Sequence, residues 1–213
     1  MERGKFIVLE GINGCGKGAQ LFALASFLYG LSRASLVFVT REPNELDESG
    51  RNARKMLASG SSPYENKLAA VEFFAKNRAV HNGLVGRLVE TGVYVVSDRY
   101  WHSNFAFQHA QGVPYEYIAE QNKRFRVPDL TLILDVPVDT AFARLDKRDG
   151  AKRRKFDSQK DFVEKVRLNY LELSKILPGL VGDRSIAVVD GTASIGDVSA
   201  KIIYECRRKF WGV

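Results

Sequence analysis

The chain has 213 residues, 45% of them hydrophobic and 27% charged, and carries a net charge of +7. Domains usually run about 100–200 residues, so a single self-sufficient domain spanning 1–213 is expected, and the composition excludes a largely disordered chain. No run reaches the ~18 apolar residues of a membrane helix, and two cysteines, Cys15 and Cys206, argue against a disulfide scaffold or a cysteine-rich zinc module.

The first element is a short apolar strand, Phe6–Leu9, preceded only by Met1-Glu2-Arg3-Gly4-Lys5. An apolar run of that length is too short for a signal-peptide core, so a reducing, cytoplasmic setting is expected. A glycine-rich loop follows. Leu21, Leu24, Ala25, Leu28 and Tyr29 then fall at i, i+3, i+4, i+7 and i+8, the stripe of an amphipathic helix. A second strand is expected over Ser35–Val39, a helix over 64–91 and a third strand over Val93–Val96. A fourth strand, Leu130–Leu134, leads into a short helix; a longer helix spans 161–177, and a fifth strand spans Ile186–Val189. Val198, Ile202, Ile203, Cys206 and Phe210 mark a last helix. Several of the strands lack polar alternation, which fits burial on both faces. Alternating strands and helices imply a parallel sheet with helices on both sides, and ligands in such sheets bind beyond the carboxyl ends of the strands.

The segment after the first strand reads Gly11-Ile12-Asn13-Gly14-Cys15-Gly16-Lys17-Gly18. It meets the phosphate-loop pattern G-x-x-x-x-G-K-[ST] everywhere except the last position. Glycines let the chain curl so that backbone N–H groups point at an anion, the following helix presents its positive end, and Lys17 adds a charge for the β- and γ-phosphates. Gly18 lacks the usual hydroxyl on Mg²⁺, so water would have to fill that coordination position. The third strand ends in Ser97-Asp98-Arg99-Tyr100. Asp98 is placed to hold Mg²⁺ directly or through water, and Arg99 to clamp a phosphate bidentately.

Further segments join these: Thr40-Arg41-Glu42-Pro43 after the second strand, Phe73-Phe74-Ala75-Lys76-Asn77-Arg78 with His81, then Ser103, Ala106-Phe107-Gln108, Pro128-Asp129-Leu130 and Leu134-Asp135. Together with the phosphate loop they resemble the thymidylate kinase family over nearly the whole chain. The resemblance implies a P-loop NTPase fold, three-layer α/β with a central five-stranded parallel sheet flanked by helices. It implies transfer of the γ-phosphoryl group of ATP to dTMP with Mg²⁺, and a homodimer. It places Arg41 and Arg99 on the dTMP phosphate, Phe74 on the thymine ring, Arg78 on a base carbonyl, and Ser103 and Gln108 near the base and sugar. The chemistry is consistent: paired arginines suit a dianion, an aromatic face stacks a base, and a donor opposite the C4 carbonyl rewards thymine over cytosine.

Six of the ten residues 147–156 are basic. They read either as a nucleic-acid or targeting patch or as a lid, about 147–157, that closes over the triphosphate and supplies arginines to the transferring group. The absence of aromatics from 147–155 argues against nucleic acid. In the family the catalytic arginine comes from the loop or from the lid; Gly14 occupies the loop position here, leaving Arg148, Arg153 and Arg154 as candidates. Phe156-Asp157 resembles the pair that closes the family's lid, with Phe156 against the sugar. Asn13 replaces the usual acid, and Asn44-Glu45 replaces a Gly-Gly pair. The expected activity is therefore that of a thymidylate kinase; the alternative is a diverged or non-catalytic nucleotide-binding relative.

Overall fold

A computed structural model describes residues 2–45, 47–58, 65–149 and 159–213. Its strands are β1 (Phe6–Glu10), β2 (Val37–Arg41), β3 (Tyr94–Asp98), β4 (Leu130–Asp135) and β5 (Ile186–Asp190). They form one parallel sheet in the order β2-β3-β1-β4-β5. The central strand, β1, is buried along its whole length. Ile7 and Leu9 enter one apolar core with Leu132 and Leu134, while Phe6 and Val8 enter a second core with Val95 on the opposite face. Two buried faces explain the run without polar alternation.

The helices are α1 (Lys17–Tyr29), α2 (Glu48–Ala58), α3 (Lys67–Glu90), α4 (His102–Ala110), α5 (Tyr115–Asn122), α6 (Val138–Asp149), α7 (Lys160–Leu180) and α8 (Ile195–Trp211). Leu21, Leu24 and Leu28 of α1, with Val166, Tyr170 and Leu173 of α7, cover the first core. Val85 and Val89 of α3, with Tyr100 and Trp101, cover the second.

The expected elements occur, with corrections at their ends. The second strand lies at Val37–Arg41 rather than Ser35–Val39, because its ladder with β3 runs from Val37 opposite Tyr94 to Arg41 opposite Asp98. Every strand extends beyond its apolar run to a charged residue: Glu10, Arg41, Asp98, Asp135 and Asp190. Five charged side chains thus stand at the carboxyl edge, where an open parallel sheet presents its ligand site.

Candidate active site at the carboxyl edge of the sheet

The phosphate loop leaves β1 through Gly11, whose φ of 134° is a conformation that side chains rarely adopt. Gly14 has φ 84°, and a Cβ there would lie 2.3 Å from the Ala141 carbonyl oxygen of α6. No side chain fits at that position. Gly16 starts α1 without a side-chain cap, so the first amides of the helix remain available to an anion. Ile12 and Cys15 are buried. Lys17 is buried as well, and its ammonium donates to the carbonyls of Gly11 at 2.9 Å and Ile12 at 3.0 Å. Gly18 faces open space, with nothing within 4 Å of a built Cβ. Arg144 of α6 braces the loop from outside, donating to the carbonyls of Cys15 at 3.4 Å and Gly191 at 3.0 Å.

Arg99 follows β3 with φ 74°, a strained value for a residue that is not glycine. Its guanidinium joins three parts of the chain. Nη2 donates to Asn13 Oδ1 in the phosphate loop at 2.7 Å, and Nη1 donates to Ser103 Oγ at 3.1 Å and to the Tyr170 hydroxyl at 2.9 Å. The plane also packs 5.3 Å from the Phe107 ring. Burial alone would make the arginine less basic, but Tyr170, Glu10, Asp98 and Cys15 outweigh it and hold the guanidinium charged.

Behind Arg99 lies Glu10, fully buried. Its Oε1 accepts from the Tyr100 amide at 2.8 Å and the Ser103 amide at 3.2 Å; its Oε2 accepts from the Ser103 and Tyr170 hydroxyls, both at 2.8 Å. Burial, followed by the Glu10 charge, pushes the Tyr170 hydroxyl well above its ordinary titration range and keeps it a donor. Asp98 stands beside Leu9 of β1 and Arg41 of β2. Its Oδ1 is buried without a hydrogen-bond partner among the described residues. Such an orphaned acceptor is costly unless a cation or its water meets it. The donor set therefore fits Mg²⁺.

A second polar cluster lies between β2, α3 and α4. Arg78 is 2% exposed. Its Nε donates to Glu42 Oε2 at 2.7 Å, and its Nη1 donates to Asn104 Oδ1 at 2.9 Å and to Asn122. His81 meets the other Glu42 oxygen at 2.9 Å and Thr40 at 2.9 Å. Asn104 donates to Gln108 Oε1 at 2.9 Å, and Gln108 donates to Gln111 at 3.2 Å.

The structure thus brings Asn13, Lys17, Asp98, Arg99 and Ser103 together at the loop and places Arg78 and Gln108 in the neighbouring cluster. Arg41 is exposed at the end of β2, and Phe74 is half-buried on α3. Arg148 is exposed in the last turn of α6. Arg153, Arg154 and Phe156 lie outside the described residues. Sequence reasoning missed Glu10 and Tyr170. Glu10 is legible only as the acid that ends the β1 run, and Tyr170 sits in an apolar stripe with Val163, Val166 and Leu173 that reads as core.

A parallel sheet of this order, with a lysine-bearing glycine loop after its central strand, defines a nucleotide-binding protein of the P-loop NTPase fold. The profile of the family described as Thymidylate kinase matches residues 9–202. A thymidylate kinase of Nitrosomonas eutropha is 34% identical over 99% of this chain and 95% of its own length. One of Ruthia magnifica is 31% identical over 95% of this chain and 97% of its own. The solved structure of thymidylate kinase from Candida albicans shares the fold with a TM-score of 0.73 at 23% identity, covering 97% of this chain and 93% of that one. The chain belongs to the thymidylate kinase family.

Proposed function

We propose that this chain transfers the γ-phosphoryl group of ATP to dTMP, releasing ADP and dTDP. The observation that carries the reading is the Arg99 guanidinium, which bonds the donor-side loop through Asn13 and the acceptor side through Ser103. A dTMP phosphate oxygen attacks the γ-phosphorus in line, one O–P bond forming as the bond to the ADP oxygen breaks. The phosphate dianion is already nucleophilic, so no general base is required. Catalysis is positioning and charge stabilisation.

Loop residues Gly11–Gly18 cradle the ATP phosphates, and Lys17 exchanges its loop carbonyls for phosphate oxygens. Arg41 and Arg99 hold the dTMP phosphate. Phe74 stacks on the base, with Arg78 and Gln108 on its edge and Ser103 near the sugar. Arg78 has Nη2 to offer, since its Nε and Nη1 are committed to Glu42, Asn104 and Asn122. Asp98 would hold Mg²⁺ directly or through water, and the ion would neutralise developing phosphate charge. The exclusion of a side chain at position 14 supports a catalytic arginine supplied by the 147–157 lid: Arg148, Arg153 or Arg154. Phe156 would close on the sugar.

We further read residues 1–213 as one kinase domain, working as a homodimer in the cytoplasm with nucleotides rather than nucleic acid as partners. Both cysteines are free, which supports a reducing compartment, and no described helix is long and apolar enough to cross a membrane. A coupled ADP-release assay across nucleoside monophosphates, with and without Mg²⁺, tests the reaction. The expected result is Mg²⁺-dependent turnover with dTMP ahead of dCMP and AMP by about 5–150-fold, the worth of one reversed buried hydrogen bond. Nucleotide binding without turnover of any monophosphate would refute it.

A further inference from the structure

We propose that Glu10 is a positioning residue that aims Arg99 at the acceptor phosphate through the hydroxyls of Ser103 and Tyr170. The inference rests on the kinase reading above and assigns a role to two residues that reading leaves unused.

Glu10 is fully buried, and its nearest cationic atom is Arg99 Nη1 at 3.7 Å, beyond hydrogen-bond reach. Four donors satisfy the carboxylate instead: two amides at the start of α4 on Oε1 and two hydroxyls on Oε2. A carboxylate accepts only, and at 2.8 Å it draws both hydroxyl hydrogens in preference to the 3.0 Å contact between the Ser103 and Tyr170 hydroxyls. Their lone pairs then face outward, and Arg99 Nη1 donates to both of them, at 3.1 Å and 2.9 Å. The negative charge is thus relayed one bond outward to the guanidinium without direct contact.

The relay also sets which edge of Arg99 is presented. Nη1 spends both hydrogens on the hydroxyls and Nη2 spends one on Asn13. Among the described residues no acceptor takes the Nε–H. One Nη2–H and the Nε–H remain, a pair suited to two oxygens of one phosphate. The backbone is held for the same purpose: the Tyr100 amide immediately after the strained Arg99 donates to Glu10. A glutamine at position 10 cannot accept at both ends. Its amide would turn a hydroxyl around and set a donor against the guanidinium.

Steady-state kinetics with dTMP as the varied substrate test the relay. Tyr170→Phe keeps the core volume and removes one link; Glu10→Gln removes the charge. The expected losses in kcat/KM for dTMP are about 5–30-fold for Tyr170→Phe and about 10–100-fold for Glu10→Gln, as for hydrogen bonds to charged groups. KM for ATP should change by less than about 2-fold. In an Arg99→Lys background either substitution should cost less than about 2-fold more, because residues acting through one group are not additive. Full, additive losses in that background, or an equal rise in KM for ATP, would overturn the relay while leaving the kinase reading intact. If Glu10→Gln does not fold, Tyr170→Phe in both backgrounds decides alone. A wild-type protein that does not phosphorylate dTMP overturns both.

Discussion

At the level of single residues, two glycines of the phosphate loop have opposite surroundings. Gly18 lies in the first turn of α1 with nothing within 4 Å of a built Cβ, so a serine fits without displacing anything. Gly18→Ser should place a tethered hydroxyl where water would otherwise have to fill a coordination position of Mg²⁺. The scale is the cost of immobilising one water, up to about 2 kcal/mol, which lowers the Mg²⁺ concentration for half-maximal activity by about 5–30-fold. Removing a helical glycine should also stabilise the fold by up to about 1 kcal/mol. A Mg²⁺ titration of turnover and a thermal melt check both; unchanged Mg²⁺ demand would show that the hydroxyl does not reach the ion. Gly14 is the reverse case, with positive φ and the Ala141 carbonyl 2.3 Å from its missing Cβ. Gly14→Ala should cost at least about 1–3 kcal/mol of strain and weaken ATP binding, read by urea unfolding and by nucleotide titration.

Between elements, buried charge does much of the tying. Glu42 at the exit of β2 holds Arg78 and His81 of α3, and all three are nearly inaccessible. Glu42→Gln leaves Arg78 buried without its counter-charge, and should lower stability by about 3–5 kcal/mol in urea unfolding. A result below about 1 kcal/mol would mean that Asn104 and Asn122 satisfy the guanidinium unaided. A second tie, His102 Nε2 to Asp183 Oδ2 at 2.7 Å, joins α4 to the approach to β5. Burial pushes the Asp183 carboxyl up, but its bonds to His102 and Ser185 outweigh burial and hold it below the ordinary value of 3.8. A lowered folded value means the contribution is complete above the unfolded value and is lost as pH falls through the folded one. Thermal midpoints should therefore drop below pH ~4, with a shallower drop in Asp183→Asn; parallel pH profiles for the two proteins would contradict this. The same polar burial explains why α4 was illegible in the sequence. Its inward residues include His102, Asn104 and Gln108, so no apolar stripe announces the helix. α2 was hidden by a charged composition with few apolar positions.

For the molecule as a whole, the parallel sheet was legible because five short β-branched runs alternate with helical stripes, a pattern few folds share. The phosphate loop was legible because its geometry demands glycines and a lysine at fixed spacing. The supports of Arg99 were not: Glu10 and Tyr170 are 160 positions apart and acquire their meaning only when the Tyr170 hydroxyl of α7 reaches the carboxylate at the end of β1. Helix α3 carries a related lesson. One side of it is buried through Val71, Ala75, Arg78, Val85 and Val89. Phe73, Val80 and Leu84, at i, i+7 and i+11, form a second apolar stripe that the sheet does not need, and Val80 is 53% exposed. A lone exposed valine needs no explanation, but a stripe along a 24-residue helix has the length for a helix-on-helix contact between two copies. A stable contact must bury roughly 1,200–2,000 Å² in total, which a single valine cannot supply and for which the stripe would have to recruit its flanks. Sedimentation velocity at micromolar protein should therefore show twice the 23.9 kDa chain mass. If two copies meet along this stripe, Val80→Glu would bury a charge from each in the contact, costing several kcal/mol for each unpaired ion, and should return the protein to a monomer with its fold intact. A wild type that sediments only as a monomer, or a Val80→Glu variant that remains a dimer, would place the partner surface elsewhere or nowhere on this helix.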